Sequence, residues 1–235
     1  MEKVKNLKGF VLGPTGGVGR ELVQELIKSD KWSEITVLTR RKIEEWDHFT
    51  EQEKKKLKII EQDNFDSLTD PSKWNLQGYS SVFCCLGTRQ KYGKENFIKV
   101  DCTYPINAGK LATQFNIPHY SIVTAGGADP NSMFFYMKTK GQVEQGLREA
   151  KIPHLSIFRP GLLVDRRNED RTGEKLLSYI PFISKIQVRE VAQAQRIEAE
   201  LQHEQGLAQN VVTYNNSQIL DLKNTGRFPQ KPSSE

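Results

Sequence analysis

The chain has 235 residues, of which 27% are charged and 37% are hydrophobic, and its formal net charge is +5. This length predicts one large domain with enough residues for a hydrophobic core. No apolar stretch approaches the roughly 18 residues of a transmembrane helix, and the N-terminus has no apolar signal core. The three cysteines have no disulfide-framework spacing, which is typical of a reducing compartment. We therefore expect a cytoplasmic protein with no membrane span.

Neither the charge nor the histidines indicate a nucleic-acid or metal partner. The lysines and arginines are scattered, and the densest run, at 54–58, is most simply a solvated helix end or loop. No zinc spacing, RNA-binding aromatic signature or helix-turn-helix pattern accompanies this run. The histidines, which show no metal-ligand spacing, are His48, His119, His154 and His203. The sequence therefore predicts no nucleic-acid partner and no metal site.

Short apolar runs alternate with helix-length amphipathic segments from the start of the chain. Strands are predicted at residues 7–12, 34–39, 57–62, 80–86, 119–124 and 154–159. Helices are predicted at residues 17–29, 101–115 and 134–151. This alternation is typical of parallel strands joined by helices on both faces of a sheet. The predicted fold class is α/β, a Rossmann-like doubly wound parallel sheet.

The C-terminal third of the chain continues this pattern less regularly. Residues 187–209 have the pattern of a polar amphipathic helix whose many Gln and Glu side chains form a solvated face. Residues 223–235 contain Gly, Pro and Ser, which predicts a flexible tail. We therefore expect a single Rossmann-like domain over 1–222, in which 165–222 form a small C-terminal substrate lobe.

A glycine-rich turn follows the first predicted strand and opens the first predicted helix. The first glycine permits a tight turn, the second lets a diphosphate approach the backbone, and the third lets the helix pack on the strand. The free N–H groups at the start of the helix would then face the phosphates of a bound dinucleotide. The predicted cofactor-binding residues here are Gly13, Thr15, Gly16, Gly17, Val18 and Gly19. The domain at 1–222 is therefore expected to bind NAD(P).

The end of the second predicted strand indicates which dinucleotide is bound. NAD-binding units usually carry an acidic residue there, which accepts a hydrogen bond from the ribose 2′-hydroxyl. This chain has Arg40 and Arg41 instead. A guanidinium group suits a 2′-phosphate, so the sequence predicts NADPH rather than NADH.

A tyrosine and a lysine four residues apart provide candidate catalytic groups. Tyr136 and Lys140 would project from one face of the helix that follows the fifth predicted strand. A lysine beside a tyrosine favours the phenolate and lowers the tyrosine pKa towards the working range. The hydroxyl of Thr124, at the end of that strand, can orient a substrate carbonyl. Asn107 either supports the lysine through water or caps a kink in its own helix.

Four further segments carry a resemblance to a known family. They read CCLGT at 84–88, TAGGAD at 124–129, YMKTKGQVE at 136–144 and FRPGLL at 158–163. Together with the glycine turn, they resemble atypical short-chain dehydrogenase/reductases, specifically the Tat-interacting-protein oxidoreductases and their fungal relatives. The resemblance covers residues 7–165 well and the C-terminal seventy residues only loosely.

The resemblance implies an NADPH site at the carboxyl ends of the parallel strands, where open α/β sheets bind ligands. In the family, one loop passes along the cofactor after the fourth strand, one turn lies on the adenine side after the third, and one loop lies beside the nicotinamide. The residues that match these segments are Leu86, Gly87 and Thr88, then Asp63 and Asn64, then Pro160 and Gly161.

These patterns favour an NADPH-dependent oxidoreductase that reduces a small-molecule carbonyl substrate. Tyr136 would donate the proton, Lys140 would assist it and bind the ribose, and Thr124 would hold the carbonyl oxygen. The alternative is a regulatory NADPH-binding protein that acts through protein partners without turnover, since relatives have a second serine where this chain has Ala125. A sugar-nucleotide epimerase is disfavoured by the small C-terminal lobe. The sequence does not define the oligomeric state.

Overall fold

A computed structural model describes residues 6–41, 46, 49–165 and 184–229. The strands in these ranges are β1 Leu7–Leu12, β2 Trp32–Thr39, β3 Leu57–Glu61, β4 Ser81–Cys84, β5 His119–Val123, β6 His154–Arg159, β7 Leu162–Val164, β8 Lys185–Gln187 and β9 Asn210–Asn215. The α-helices are α1 Gly17–Lys28, α2 Glu51–Lys56, α3 Lys94–Ile98, α4 Tyr104–Gln114, α5 Phe135–Glu149, α6 Val188–Gln205 and α7 Asn216–Thr225.

Seven of the strands form one sheet in the order β3-β2-β1-β4-β5-β6-β9, and every neighbouring pair is parallel. The central strands are buried on both faces, as parallel sheets require, and all five residues of β5 are buried. The Rossmann-like α/β fold is confirmed. The six predicted strands are confirmed as β1 to β6, with ends that differ by at most two residues.

Helices cover both faces of the sheet. On one face, α1, α6 and α7 pack through apolar side chains that include Leu22, Val191 and Ile219. On the other face, α4 and α5 pack through Leu111 and Leu147. The two cores lie on opposite sides of one sheet, which leaves the strand ends as the place where side chains from several elements can meet.

The solvated face predicted for residues 187–209 is wrong. α6 packs along α1, and its polar side chains Gln195, Glu198, Glu200 and Gln202 are buried. These groups are paired with polar partners on the strands and on the helices, and this compensates for their burial. Composition alone does not predict this burial, because a Gln- and Glu-rich helix is expected to face solvent unless the partners of its polar groups are known.

The described part of the predicted C-terminal lobe is built into the main sheet and its helical layer. β9 extends the sheet beside β6, and α6 and α7 pack on the same face as α1. Residues 166–183 of the predicted lobe lie outside the described residues. α7 continues to Thr225, so the predicted tail at 223–235 begins as helix, and residues 230–235 lie outside the described part.

Three short features complete the described chain. A π-helical turn, Lys99–Thr103, joins α3 to α4. β7 and β8 pair in parallel as a small second sheet. Short 3₁₀ turns occur at Asp66–Thr69, Pro71–Lys73 and Gln90–Tyr92. Among the described helices, none is both long and apolar enough to cross a membrane.

Candidate nucleotide-binding and active site

A cleft of about 530 Å³ opens at the carboxyl edge of the sheet. Its walls come from the N-terminus of α1, the loops after β4, β5 and β6, and one face of α5. The structure brings together here many of the residues predicted from sequence. They are Gly16, Gly17, Val18, Leu86, Gly87, Thr88, Thr124, Tyr136, Lys140, Pro160 and Gly161.

The glycine turn has two positions where a side chain does not fit. Gly13 has φ +77°, and a Cβ there would lie 2.6 Å from the backbone carbonyl of Cys85. A Cβ on Gly19 would lie 2.1 Å from the Gly13 carbonyl oxygen, because α1 packs directly against the turn. These two glycines therefore set the shape of the turn, while neither lines the cleft itself.

The N-terminus of α1 provides a site for an anion. Gly16 is the N-cap residue and offers no side-chain cap, and no acidic residue occupies the first turn. Gly17 and Val18, whose N–H groups have no partner within the helix, border the cleft. Backbone donors and the helix dipole at this point suit a diphosphate, so the residues present fit the dinucleotide predicted from sequence.

Several predicted cofactor residues lie near the same edge but outside the cleft lining. Arg40 and Arg41 follow β2 and are exposed, and the Thr39 hydroxyl donates a hydrogen bond of 2.8 Å to the Arg41 carbonyl oxygen. Asp63 and Asn64 follow β3 and are also exposed. Thr15 lies in the turn at the edge of the same region, outside the lining.

Tyr136 and Lys140 lie on one wall of the cleft, as their spacing predicts. The Lys140 ammonium nitrogen lies 5.9 Å from the centroid of the Tyr136 ring. The ring also packs against Phe97, at 5.8 Å between centroids. Lys140 is only 5% exposed, whereas Tyr136 is half-buried and borders the cleft. A positive charge is therefore held beside the Tyr136 phenol at the cleft.

Asp101 is a site residue that the sequence interpretation missed. It lies in the π-helical turn, is 2% exposed and borders the cleft. Its Oδ1 is 2.7 Å from the Lys140 ammonium. Burial alone lowers the pKa of Lys140, but the charges of Asp101 and Tyr136 outweigh burial and hold it above the ordinary lysine value. A lone acid within the apolar stretch at 97–106 is the signal that could have indicated it.

Asn107, the residue predicted either to support Lys140 or to cap a kink, lies in α4 and does not line the cleft. The group that contacts Lys140 is the carboxylate of Asp101, six residues earlier. The contact seen is a direct ion pair, whereas the sequence interpretation gave Asn107 either a water-mediated contact with the lysine or a capping role at a kink.

The Thr124 hydroxyl has a partner that sequence reasoning did not foresee. It donates a hydrogen bond of 2.7 Å to the buried carboxylate of Glu144 on α5. The same carboxylate accepts hydrogen bonds from the guanidinium of Arg159, at the end of β6. The hydroxyl proton is directed to Glu144 in this structure, and the role of Thr124 towards a substrate carbonyl stays a prediction.

The fold and the cleft define a Rossmann-like protein with a dinucleotide-type turn and an oxidoreductase-like Tyr–Lys pair. Comparison with known proteins identifies the family. A family described as NAD(P)H-binding matches residues 13–204. The chain belongs to this NAD(P)H-binding family and, within it, to the atypical short-chain dehydrogenase/reductases of the HTATIP2 and FMP52 type.

Two relatives illustrate the similarity. Protein HTATIP2 of Rattus norvegicus is 35% identical over 178 residues, which cover 74% of this chain and 70% of that protein. Protein FMP52, mitochondrial, of Candida albicans is 34% identical over 168 residues, which cover 68% of this chain and 69% of that protein. The resemblance read from the motifs is confirmed.

Solved structures share the fold at lower identity. MoeE5 in complex with UDP-glucose and NAD has a TM-score of 0.65 and 15% identity, over 94% of this chain and 83% of that chain. A putative NAD-dependent epimerase/dehydratase from Bacillus halodurans has a TM-score of 0.65 and 20% identity, over 93% of this chain and 99% of that chain. These similarities concern the fold. The nicotinamide class of cofactor is supported by the family.

Proposed function

We propose that this protein is an NADPH-dependent oxidoreductase that reduces a small carbonyl compound. The observation that carries the proposal is the position of Tyr136 and Lys140 on the wall of the cleft that the glycine turn also borders. A proton donor and an anion site in one cleft allow a dinucleotide and a second small molecule to lie side by side.

Each group has a defined task in this reaction. A bound nicotinamide cofactor would supply the hydride to the carbonyl carbon. Tyr136 gives its phenolic proton to the carbonyl oxygen as negative charge develops there. Lys140, with its ammonium held beside the ring, stabilises the phenolate that is left behind. The protein thereby places a donor and a compensating charge where the reaction needs both.

The preference for NADPH rests on Arg40 and Arg41. Both are exposed at the carboxyl end of β2, where Rossmann-like proteins hold the adenosine ribose. Guanidinium groups make strong bidentate hydrogen bonds to phosphate, and neither arginine offers an acceptor to a free 2′-hydroxyl. A cytoplasmic location stays a prediction, since the fungal relatives are named mitochondrial.

A regulatory NADPH-binding protein without turnover is the second candidate, and Thr124 is the observation that favours it. Its proton is donated to Glu144, and the neighbouring Ala125 has no hydroxyl. If a second donor to the carbonyl oxygen is required, the cleft binds the cofactor but does not complete the reaction. Protein partners would then carry the response to NADPH.

The first measurement is a thermal-shift titration with NADPH and NADH side by side. A ligand at 100 times its Kd stabilises a protein by about 2.7 kcal/mol. For a chain of this size, that corresponds to an increase in Tm of about 5–11 °C. We expect the increase with NADPH. A larger increase with NADH would contradict the assignment of the arginines, and no increase with either would remove the cofactor proposal.

Tyr136→Phe tests the chemistry. On a substrate found by screening aldehydes, ketones and quinones, the variant should lose about 10²–10⁴-fold in kcat, because the proton donor is gone. NADPH binding should be retained, since the ring remains. The matched control is Tyr92→Phe, which removes a hydroxyl from a tyrosine that is 59% exposed and outside the cleft lining. Unchanged kcat in Tyr136→Phe contradicts the assignment, and NADPH binding without turnover in the unaltered protein favours the regulatory candidate.

A further inference from the structure

Asp101 occupies an unusual place in the backbone. The helical segment that begins at Lys94 and ends at Gln114 is interrupted by the π-helical turn at 99–103, and Asp101 lies at the centre of that turn. π-Helical turns are rare and occur frequently at functional sites, because the wider turn redirects the side chains within it. Here the redirected side chain is a carboxylate that borders the cleft.

The carboxylate of Asp101 joins two walls of the cleft. Its Oδ1 lies 2.7 Å from the ammonium of Lys140 on α5. Its Oδ2 accepts a hydrogen bond of 2.8 Å from the backbone N–H of Thr88, in the loop after β4. One side chain therefore fixes both the predicted catalytic lysine and the loop that is expected to pass along the cofactor.

Because Asp101 and Lys140 are both buried, the charge of Lys140 depends on its contact with Asp101. Lys140 is 5% exposed and Asp101 is 2% exposed, so water screens neither charge effectively. A buried ammonium without a counter-charge tends to lose its proton. Within the described residues, Asp101 is the acidic group that forms an ion pair with Lys140. The ammonium also interacts with the titratable side chains of Tyr136, Cys84 and Cys102.

We propose that Asp101 is a positioning residue that keeps Lys140 charged and holds its ammonium between the Thr88 loop and Tyr136. The inference rests on the proposed function and goes further, because it names the group on which the lysine depends. An ammonium has three N–H donors. The contact with Asp101 uses one of them and leaves two for the ribose of the cofactor and for the phenol.

The direct test is the titration of Lys140 in Asp101→Asn, a variant of nearly equal volume that removes the charge. Protein containing ¹³Cε-labelled lysine is titrated by NMR, and Lys140→Arg identifies the resonance. We expect the pKa of Lys140 in the unaltered protein to lie above the ordinary lysine value, because the effect of burial is outweighed by the charge of Asp101. In Asp101→Asn its midpoint should fall by at least about one pH unit. An unchanged midpoint overturns the proposal.

Asp66→Asn is the matched control. Asp66 also pairs with a lysine near the same helical segment, at 2.9 Å from the Lys99 ammonium, but both side chains are about half exposed. This variant should leave the Lys140 midpoint unchanged. If Asp101→Asn does not fold, Asp101→Glu retains the charge. It should preserve the raised midpoint, and a fall in Asp101→Glu would overturn the proposal.

The dependence of kcat/KM on pH provides the second readout. As the pH rises, Asp101→Asn should lose activity at least about one pH unit earlier than the unaltered protein, because its lysine loses the proton earlier. Equal loss of activity at every pH would indicate a structural role only and overturn the proposal. If the unaltered protein turns over no substrate, the proposed function fails, and the lysine titration still decides the role of Asp101.

Discussion

In the part of the chain that the structure describes, each edge of the sheet holds a buried carboxylate, and the one at the carboxyl edge borders a cleft. At the carboxyl edge, Asp101 pairs with Lys140, and both border a cleft of about 530 Å³. At the amino edge, Glu198 on α6 lies against the rings of His119 and His154, and all three side chains are completely enclosed. At the carboxyl edge, the pairing of a carboxylate with a basic group therefore belongs to an accessible site. At the amino edge, the same kind of pairing attaches a helix to the sheet.

The amino-edge cluster, defined here as Glu198, His119, His154, Ser156 and His203, is a connected hydrogen-bond network. The Glu198 carboxylate accepts a hydrogen bond of 2.7 Å from the Ser156 hydroxyl and lies 3.1 Å from Nε2 of His119. Burial raises the pKa of Glu198, but the adjacent histidines and Ser156 outweigh burial and hold it well below its usual range. The network ties α6 to the first residues of β5 and β6.

His154 shows why the cluster holds a charge. Its Nδ1 lies 3.0 Å from the Ala208 carbonyl oxygen, an acceptor only, so Nδ1 carries a proton. Its Nε2 is buried without a hydrogen-bond partner and faces Glu198 at 3.5 Å. Two lone pairs facing each other would repel, so this contact is attractive when His154 is protonated. Burial lowers the pKa of His154, but the Glu198 carboxylate and the hydrogen bond to Ala208 outweigh burial and raise this pKa above its usual value.

The largest expected effect is a loss of folding stability when the amino-edge cluster is altered, with no loss of ligand binding at the carboxyl edge. Glu198→Ala should reduce the free energy of unfolding by about 3–5 kcal/mol, because the buried imidazoles lose their counter-charge. Urea unfolding measures this change. NADPH binding below the unfolding transition should be unaffected, since Glu198 lies at the opposite edge of the sheet from the cleft.

Glu204→Ala is the control on the same helix. Glu204 pairs with Lys31 at 2.7 Å, but its side chain is 33% exposed. Exposed pairs contribute up to about 1 kcal/mol, so the loss should not exceed that value. Equal losses in the two variants would show that enclosure does not distinguish the amino-edge cluster from an ordinary surface pair.

The next effect concerns ligand selectivity at the carboxyl edge. Replacing Arg40 and Arg41 together by Ala should raise the Kd for NADPH by about tenfold to a hundredfold, because charge-assisted hydrogen bonds contribute about 1.5–3 kcal/mol. The Kd for NADH should change little. Fluorescence titration of the reduced cofactors measures both constants. An equal rise in the Kd for NADH would show that the arginines do not bind the 2′-phosphate. The free energy of unfolding should be unaltered, because both side chains are exposed.

The carboxyl edge could be predicted in large part because its signals are local. The glycine turn lies between β1 and α1, and Tyr136 and Lys140 are one helical turn apart, so neighbouring residues in the chain become neighbours in space. The strand pattern likewise depends on runs of apolar residues within single elements. These features form the cleft and were readable without long-range information.

The remaining features depend on contacts between distant parts of the chain. His119 and Glu198 are 79 positions apart, and the pairing of Asp101 with Lys140 depends on how two helices meet. The Gln and Glu side chains of α6 have the composition of a solvated surface, and their polar partners on the strands and helices compensate for their burial. Periodicity within one helix cannot report those partners, so the prediction of a solvated face was wrong.

The smallest expected effect is the pH dependence that His203 gives to the amino-edge cluster. Its Nε2 lies 3.0 Å from the Ser81 hydroxyl, and its ring lies 6.0 Å from that of His119. Burial and the neighbouring charge of His119 lower the pKa of His203 from 6.5 to about 4. The folded protein therefore holds this ring neutral over a range in which the unfolded chain binds a proton.

Acidification should accordingly weaken the fold between these two pKa values. As the pH falls from 6.5 to about 4, the unfolded state takes up a proton that the folded state does not, and the free energy of unfolding falls. The contribution is of the order of 1–3 kcal/mol, since one pKa unit corresponds to about 1.4 kcal/mol. His203→Gln should flatten this part of the stability profile, measured by urea unfolding at a series of pH values. His154→Gln should instead change the profile above pH 6.5, because the raised pKa of His154 stabilises the fold below its unfolded value and this is lost as the pH rises. A profile unchanged by His203→Gln would mean that the ring binds a proton equally well in the folded and unfolded protein. The amino-edge cluster would then not be enclosed, and the contrast with the accessible cleft at the carboxyl edge would fail.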